Sequence, residues 1–395
     1  MITAAGKAFG GNALKGVKEA AAGDNKEAGK LFAGNGNGNA DAAAIGKAAS
    51  AVTAVSGEQI LKAIVEAAGA GNQAGATAGA ATNPIEAAIG TDGDQAAFGD
   101  NGMKKSDKIA AAIVLRGVAK DGKFAAANNA NVKSAVGEVS KWLGEMITAA
   151  GDAAKGGTGG ANEKIGDVGA ANKGAKAEAN SVKEIAKGIK GIVDAAGKAF
   201  GGNALTGVKE AAAGDENGAN ADAGKLFATQ AAAGAGADVA KAASAVTAVS
   251  GEQILKAIVD AAGDTANQAG AGANAATNPI AAAIGADGAG AAFNQDEMKK
   301  SDKIAAAIVL RGVAKDGKFA AADNDNSKAS VKSAVGEVSK WLGEMITAAG
   351  EAAKGGTGGA NEKIGDAANN GAKADADSVK EIAKGIKGIV DAAGK

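Results

Sequence analysis

Apolar residues return every three or four positions along most of this chain and almost nowhere every second position. Ser181–Gly197 carries Val182, Ile185, Ile189, Ile192 and Val193 as one stripe, the spacing of an amphipathic helix. Val132–Ala150 repeats the pattern with Val132, Val136, Val139, Leu143 and Met146 or Ile147, with Trp142 at the border. Ser106–Lys120 carries Ile109, Ile113, Leu115 and Val118 and stops before Asp121-Gly122, a turn pair. Lys47–Val65 breaks near Ser56-Gly57 into two helices, the second capped by Ser56 and supported by Glu58 and Lys62 at i,i+4. Asn83-Pro84-Ile85 reads as an N-cap followed by proline at the first helical position of a short helix ending at Gly90. Ser106 and Ser181 read as N-caps, the latter with Glu184 completing a capping box. The expected fold class is all-α, with little or no sheet. Gly188 and Gly191 lie inside a predicted helix, where each costs about 1 kcal/mol relative to alanine; close helix–helix contact would offset that.

The same pattern is written twice. Met103–Ala126 returns unchanged at Met298–Ala321, Val132–Gly151 at Val331–Gly350, Ser56–Val65 at Ser250–Val259, and Ser181–Gly197 at Ser378–Gly394. Between these fixed blocks the copies differ in sequence and length, and the gaps hold Ala, Gly, Asn and Asp. Fixed blocks alternating with small, polar, length-varying ones predict surface loops diversified on a constant scaffold. The period is too long for a solenoid, whose repeats run about 20–50 residues. By copy boundaries, residues 1–130 are the rear part of a repeat, 131–327 a complete repeat forming a helical domain, and 328–395 the front part of another. The front fragment supplies the helices missing from the rear fragment, so the two ends are expected to pair.

Composition narrows the chemistry. The 395 residues contain 43 Lys plus Arg against 44 Asp plus Glu, a net charge of −1 that gives no electrostatic reason to expect nucleic acid. Cysteine, histidine and tyrosine are absent. That removes disulfides, thiolate metal sites, the commonest general base and the commonest zinc ligand. With 63 glycines, about twice the usual share, and 3% aromatics, the core must be built from small side chains. No apolar run approaches the ~20 residues that span a bilayer, and Met1–Gly11 is not a signal peptide.

At MKKSDKIAAAIVLRGVAKDGKFA (Met103–Ala125) the spelling becomes specific. It resembles the invariable segment of the variable surface lipoproteins of Borrelia, the variable large protein and Vls group. Ala51–Val65, Asn83–Gly90 and Ser181–Gly197 resemble that family's cassette region in order and spacing. The resemblance implies an elongated, mostly helical outer-surface antigen with variable loops at its membrane-distal end. It also implies host antibodies as partners, an outer-membrane location through a lipidated N-terminal cysteine, and antigenic variation by cassette copying. No lipobox cysteine is present here, and the phase of the copies predicts a translated silent-cassette array. The oligomeric state is left open.

Other chemistry reads as bland. Gly117–Lys123 and Gly312–Lys318 fit GxxxxGK, but Phe124 and Phe319 follow where a P-loop needs Ser or Thr; the spelling predicts a helix end whose phenylalanine packs on the core. The acidic residues Asp287, Asp296, Glu297 and Asp302 lack the spacing of a calcium loop. Lys104-Lys105 and Lys299-Lys300 offer a small basic patch, the basis of an alternative reading as a host-surface adhesin. No enzyme, cofactor or metal site is expected. The variable loops span Gly23–Ala44, Gly69–Thr82, Thr91–Gly102, Asn128–Asn131, Val168–Asn180 and their copies. They are represented by Asn35, Asn37, Asn72, Thr77, Asp92, Asn129, Asn172, Gln230, Asp264, Asn274, Asp287 and Asn324. The expected invariable scaffold is Ile109, Ile113, Leu115, Trp142, Ile304, Ile308, Leu310 and Trp341, within a largely buried Met103–Ala126.

Overall fold

The computed structural model describes residues 14, 16–34, 39–71, 73–127, 129–157, 166–169, 173–199, 205, 207–211, 220–230, 236–264, 268–321, 325–356 and 365–393. The architecture is helical. In the first copy α1 (Ala42–Thr53), α2 (Gly57–Ala68), α3 (Pro84–Ile89) and α4 (Ser106–Val118) lead to a two-residue strand β1 (Phe124–Ala125). The long α5 (Asn129–Gly156) and α6 (Ala179–Ala199) follow. The second copy repeats the order with α7 (Gly236–Thr247), α8 (Gly251–Gly263), α9 (Pro279–Ile284), α10 (Ser301–Val313) and α11 (Asp325–Gly355). Strand β2 (Ala367–Ala368) and α12 (Ala376–Ala393) close the chain. Sheet is confined, among the described residues, to parallel pairing of β1 with β2 and a few isolated bridges.

Several helix ends are those the sequence spells. The Ser56 hydroxyl accepts from Gln59 N–H at 3.3 Å and the Gln59 carboxamide accepts from Ser56 N–H at 2.9 Å, a reciprocal capping box. Asn83 accepts from the amides of Ile85 and Glu86 at 3.0 and 3.1 Å ahead of Pro84, and Gly90 ends α3 at φ +71°. Lys62 turns to Glu66, 3.7 Å away, and to the Val17 carbonyl, rather than to Glu58.

Two expected caps belong to other residues. Ser106 lies inside α4, whose N-cap is Lys105 with no side-chain cap. Its hydroxyl accepts from Asn25 at 3.2 Å, while Asp107 accepts from Lys108 N–H and Ala20 N–H. At α6 the cap is Glu178, which accepts from the amides of Asn180 and Ser181 at 2.9 and 2.6 Å. Buried Ser181 instead donates to the Gly156 carbonyl and accepts from Lys315 N–H at 2.9 Å. It ties α6 to the end of α5 and to the turn after α10. Ser378 makes the same links to Gly355 and Lys120.

Two main cores form, and their limits differ from those of the repeats. The first joins α1–α4, the front of α5 (Val132, Leu143) and Val379, Ile382, Ala383 and Ile386 of α12. The second joins α7–α10, Val182, Ile185 and Ile189 of α6, and Val331, Leu342 and Ile346 of α11. Each long helix therefore has its front half on one core and its rear half beside a helix docked on the other. A 28-residue helix rises ~42 Å, too far to stay on one small core. The chain ends do meet: Lys123 and Ala372 exchange both backbone hydrogen bonds at 3.1 Å, and α12 packs on α2, α3 and α4.

Glycine makes the helix hairpins possible. A Cβ on Gly188 would lie 2.4 Å from Ala153 Cβ, and one on Gly385 would lie 2.4 Å from Ala352 N. The lost helix propensity is offset by the backbone approach that the absent side chain permits. Where α5 and α11 cross antiparallel, Gly151 faces Ala353 and Gly350 faces Ala154.

Gly188→Ala should destabilise the chain by roughly 1–3 kcal/mol through overpacking. Gly137→Ala, whose Cβ meets open space, should stabilise it by about 0.5–1 kcal/mol; chemical denaturation of both variants measures the difference. Pairing of the ends has its own test, because the chain contains no cysteine. Lys123→Cys with Ala372→Cys should close a disulfide within one molecule, since hydrogen-bonded antiparallel pairs hold Cα atoms about 5.5 Å apart. Disulfide-linked dimers on non-reducing gels would place that pairing between chains.

Candidate functional site

Each unit is centred on a buried arginine. Arg116 Nε donates to the Ala88 carbonyl at 3.0 Å and Nη2 to Ile89 at 3.3 Å, at the C-terminal end of α3. Its guanidinium carbon lies 5.0 Å above the Phe32 ring. Phe32 in turn meets Phe98 and Phe124 with centroids 5.4 and 5.9 Å apart. Arg311, Phe227, Phe293 and Phe319 repeat the arrangement, with Arg311 5.1 Å from Phe227. Burial alone pushes both guanidinium pKa values down to about 9, still well above neutrality, so both cations remain charged. The GxxxxGK segments end here as turns. Asp121 and Asp316 take φ values of 61° and 64°, and a Cβ on Gly122 would meet the Arg116 carbonyl at 2.4 Å. That backbone is closed against itself, with no cradle for a phosphate.

The expected scaffold residues lie in these cores. Ile109, Ile113, Leu115, Ile304, Ile308 and Leu310 are each 0% exposed. Trp142 and Trp341 fall on α5 and α11, but their side chains lie outside the described residues. The sequence missed one core element in each copy. Gly23–Ala44, expected as loop, contains a 3-10 helix, Lys26–Phe32, that buries Leu31 and Phe32. The signal was the apolar pair LF, repeated in Ala221–Phe227.

The expected loop positions divide. Asn35, Asn37, Asn72, Asn172 and Asn324 lie outside the described residues. Asn129 is no loop residue; it opens α5, because the helical run extends one turn ahead of the apolar stripe that begins at Val132. Asp264 is half-buried as the C-cap of α8. Asp92, Gln230, Asn274 and Asp287 are exposed, and Thr77 is half-buried. Gly93 N–H donates to the Gly34 carbonyl at 2.9 Å, Thr77 faces Gly93, and Asp92 pairs with Lys373 at 2.8 Å. Asn370 N–H donates to the Asn39 side chain at 3.2 Å. One surface thus gathers Thr77, Asp92, Asn39 and the chain's far end. In the second unit Gln230 N–H donates to Gly288 O at 3.0 Å and Asp287 pairs with Lys176 at 2.7 Å. Lys373, Lys176, Asn39 and Asn370 escaped notice because their neighbours come from distant sequence.

Three of the four lysines in the pairs face carboxylates. Lys105 and Lys108 pair with Glu19, and Lys108 also with Glu66. Lys300 pairs with Glu210 and Glu297 at 2.7 and 2.9 Å, and Lys299 with Asp296 at 2.9 Å. The hydrogen bond from Lys300, with help from Lys303, pulls Glu210 down to about 2. Burial pushes Asp302 up. Among the described residues no group of three acidic side chains is placed to hold a metal, and no helix is long and apolar enough to cross a membrane.

What these parts define is a helical tandem-repeat scaffold whose described residues bury the apolar stripes the copies share and expose positions such as Asp94 and Ala289, where they differ. The chain belongs to the Borrelia lipoprotein family, whose sequence profile matches residues 1–142, 132–349 and 336–395. Variable large protein 25 of Borrelia hermsii is 36% identical over 233 residues, 57% of this chain and 59% of that protein. Variable large protein 21 of the same organism is 38% identical over 159 residues, 40% of this chain and 42% of that protein. The chain therefore spans about half the length of these relatives. The solved structure of the Lyme disease variable surface antigen VlsE of Borrelia burgdorferi matches at 44% identity, covering 55% of this chain and 75% of that one, with a TM-score of 0.45.

The Glu210 network makes an acid-stability prediction. The lysines hold its folded pKa at about 2, below the ordinary carboxylate range, so its contribution is present above that range and lost as pH falls towards 2. Glu210→Gln should lower the melting temperature at pH 7 and leave it unchanged near pH 2, as read by thermal scans across that range.

Proposed function

We propose that this chain acts as a variable surface antigen: a constant helical frame displays changeable loops, and host antibodies raised against one set of loops lose their grip on the next. The observation that carries the reading is the placement of Met103–Ala126. This block is identical to Met298–Ala321, and its apolar residues, from Met103 through α4 to Phe124, are buried. Asp94, its counterpart Ala289, and Gln230 are exposed in segments where the copies differ. An antibody footprint of ordinary size covers about 800 Å². It takes in positions such as Asp94, where the second copy has Ala289.

In this reading the chain is held at the outer membrane by a lipid anchor, as its family description suggests. The repeats extend the displayed surface. Residues 1–130, 131–327 and 328–395 are segments of sequence exchange, whereas the folded units draw on neighbouring segments. The adhesin alternative loses its basis where Lys105, Lys299 and Lys300 are neutralised by their own acidic neighbours.

The test compares two sera. Serum raised against a Met103–Ala126 peptide should bind the unfolded chain and bind the folded chain roughly tenfold or more weakly, a difference of ~1.4 kcal/mol or more. Serum raised against the folded chain should lose titre when Thr91–Asp94 and Ala286–Ala289 are replaced together, and keep it with Ile113→Val. Equal peptide-serum binding to both forms would overturn the reading.

A further inference from the structure

Asn101-Gly102 lies at the rim of the first unit, immediately before buried Met103, and Asn101 is exposed. Two neighbours address the pair from opposite sides. Asp100 Oδ1 accepts from Gly102 N–H at 2.7 Å and from Met103 N–H at 3.3 Å. Lys104 Nζ donates to Asn101 Oδ1 at 3.0 Å. A carboxylate thus sits on the backbone nitrogen following the asparagine, and an ammonium sits on the asparagine's side-chain carbonyl. Those are the two groups that intramolecular imide formation requires, one to draw off the proton and one to polarise the carbonyl. Glycine at 102 leaves the attacking nitrogen unshielded; a Cβ there would lie 2.9 Å from the Asp100 carboxylate.

We propose that Asn101 is a site of spontaneous covalent conversion, through a succinimide, to aspartate and isoaspartate. The Gly102 nitrogen bonds to Asn101 Cγ while its proton passes through Asp100 Oδ1 to the departing side-chain nitrogen. The Cγ–Nδ2 bond breaks and ammonia leaves. Water then opens the ring at either carbonyl, giving aspartate or the β-linked isoaspartate, with no change of oxidation state.

The second copy encodes at this position the aspartate that the reaction would yield. Phe98–Lys105 aligns with Phe293–Lys300, which places Asp296 opposite Asn101 and Gln295 opposite Asp100. Asp296 pairs with Lys299 at 2.9 Å, as Asn101 pairs with Lys104. The lysine is therefore placed to receive the carboxylate that conversion creates. On the reading proposed above, a single translated sequence would then present two or three surfaces at this rim.

The test is peptide mapping by mass spectrometry of the whole chain, incubated at pH 7.4 folded and in urea. The folded chain should convert Asn101 faster than the unfolded chain does. It should also convert Asn101 faster than Asn370-Gly371, whose glycine N–H is held by the Ala368 carbonyl at 3.0 Å. Asp100→Ala should slow Asn101 about tenfold while leaving helicity unchanged, a modest loss for a positioned base. Lys104→Gln should slow it as well. Conversion as fast in urea as in the folded chain, or unaltered by Asp100→Ala, would overturn the proposal. Failure of antibodies to distinguish the forms would count against the antigen reading alone.

Discussion

A cation buried without a described carboxylate partner is the costliest group in each unit, and the surrounding structure is arranged to tolerate it. Taking an ion out of water costs several kcal/mol even after relaxation. Arg116 recovers part of that from the carbonyls of Ala88 and Ile89, which carry the negative end of the α3 dipole, and from the face of Phe32. These contacts fix three things together: where α3 must stop, how α4 crosses it, and where the Phe32 segment lies. Gly90 is required beside it because a Cβ there would meet Nη2 at 2.2 Å. Arg311 adds a link to the Ala175 carbonyl, so the arginine also gathers the strand-like segment that leads into α6.

Around these anchors the packing relies on shortness. A chain with few aromatics gains little apolar area per residue and compensates by close approach. Ala149 and Ala153 meet Gly188 and Gly191 along the α5–α6 hairpin, and Ala348 and Ala352 meet Gly385 and Gly388 along α11–α12. The antiparallel α5–α11 crossing uses the same glycine–alanine contacts. The two hairpins therefore lock to each other at their rear halves while their front halves reach back to opposite cores. Neither core is complete without a segment from the neighbouring copy.

The helices, the Asn83 and Ser56 caps and the burial of Ile109, Ile113 and Leu115 were legible because each depends on residues within a few positions. The close contact expected of Gly188 was legible for a similar reason: glycine inside an apolar stripe has a price that only packing explains. Ser106 and Ser181 misled because a serine before an apolar run looks the same whether its hydroxyl caps its own helix or binds Asn25 or Lys315. Which front helix completes which core was illegible in principle. Val132–Gly151 and Val331–Gly350 are the same sequence, and identical side chains cannot encode a choice between two identical partners; connection length and the crossing geometry decide it. The surface cluster at Asp92 was hidden likewise, since Lys373 and Asn370 arrive from the far end of the chain.

Loops that vary still have to be held in place, and main-chain bonds do much of this. Gly34 and Gly93 in the first unit correspond to Thr229 and Gly288 in the second. Gly93 N–H donates to Gly34 O at 2.9 Å in one; Thr229 N–H donates to Gly288 O at 3.1 Å in the other. The pairing persists with its direction reversed, and the Gly288 N–H now donates to the Thr229 hydroxyl at 3.0 Å. Ala40 N–H to Ala125 O and Ala320 N–H to Leu226 O likewise stitch a connecting segment to the turn that follows the buried helix, each at 2.8 Å. Backbone pairing is available to any residue but proline, and both prolines, Pro84 and Pro279, open short helices where their missing N–H costs nothing. Side-chain specificity is therefore concentrated in the arginine, the phenylalanines and the apolar stripes. Main-chain bonds hold the edge, so substitution there changes what an outside molecule meets while the frame beneath stays the same.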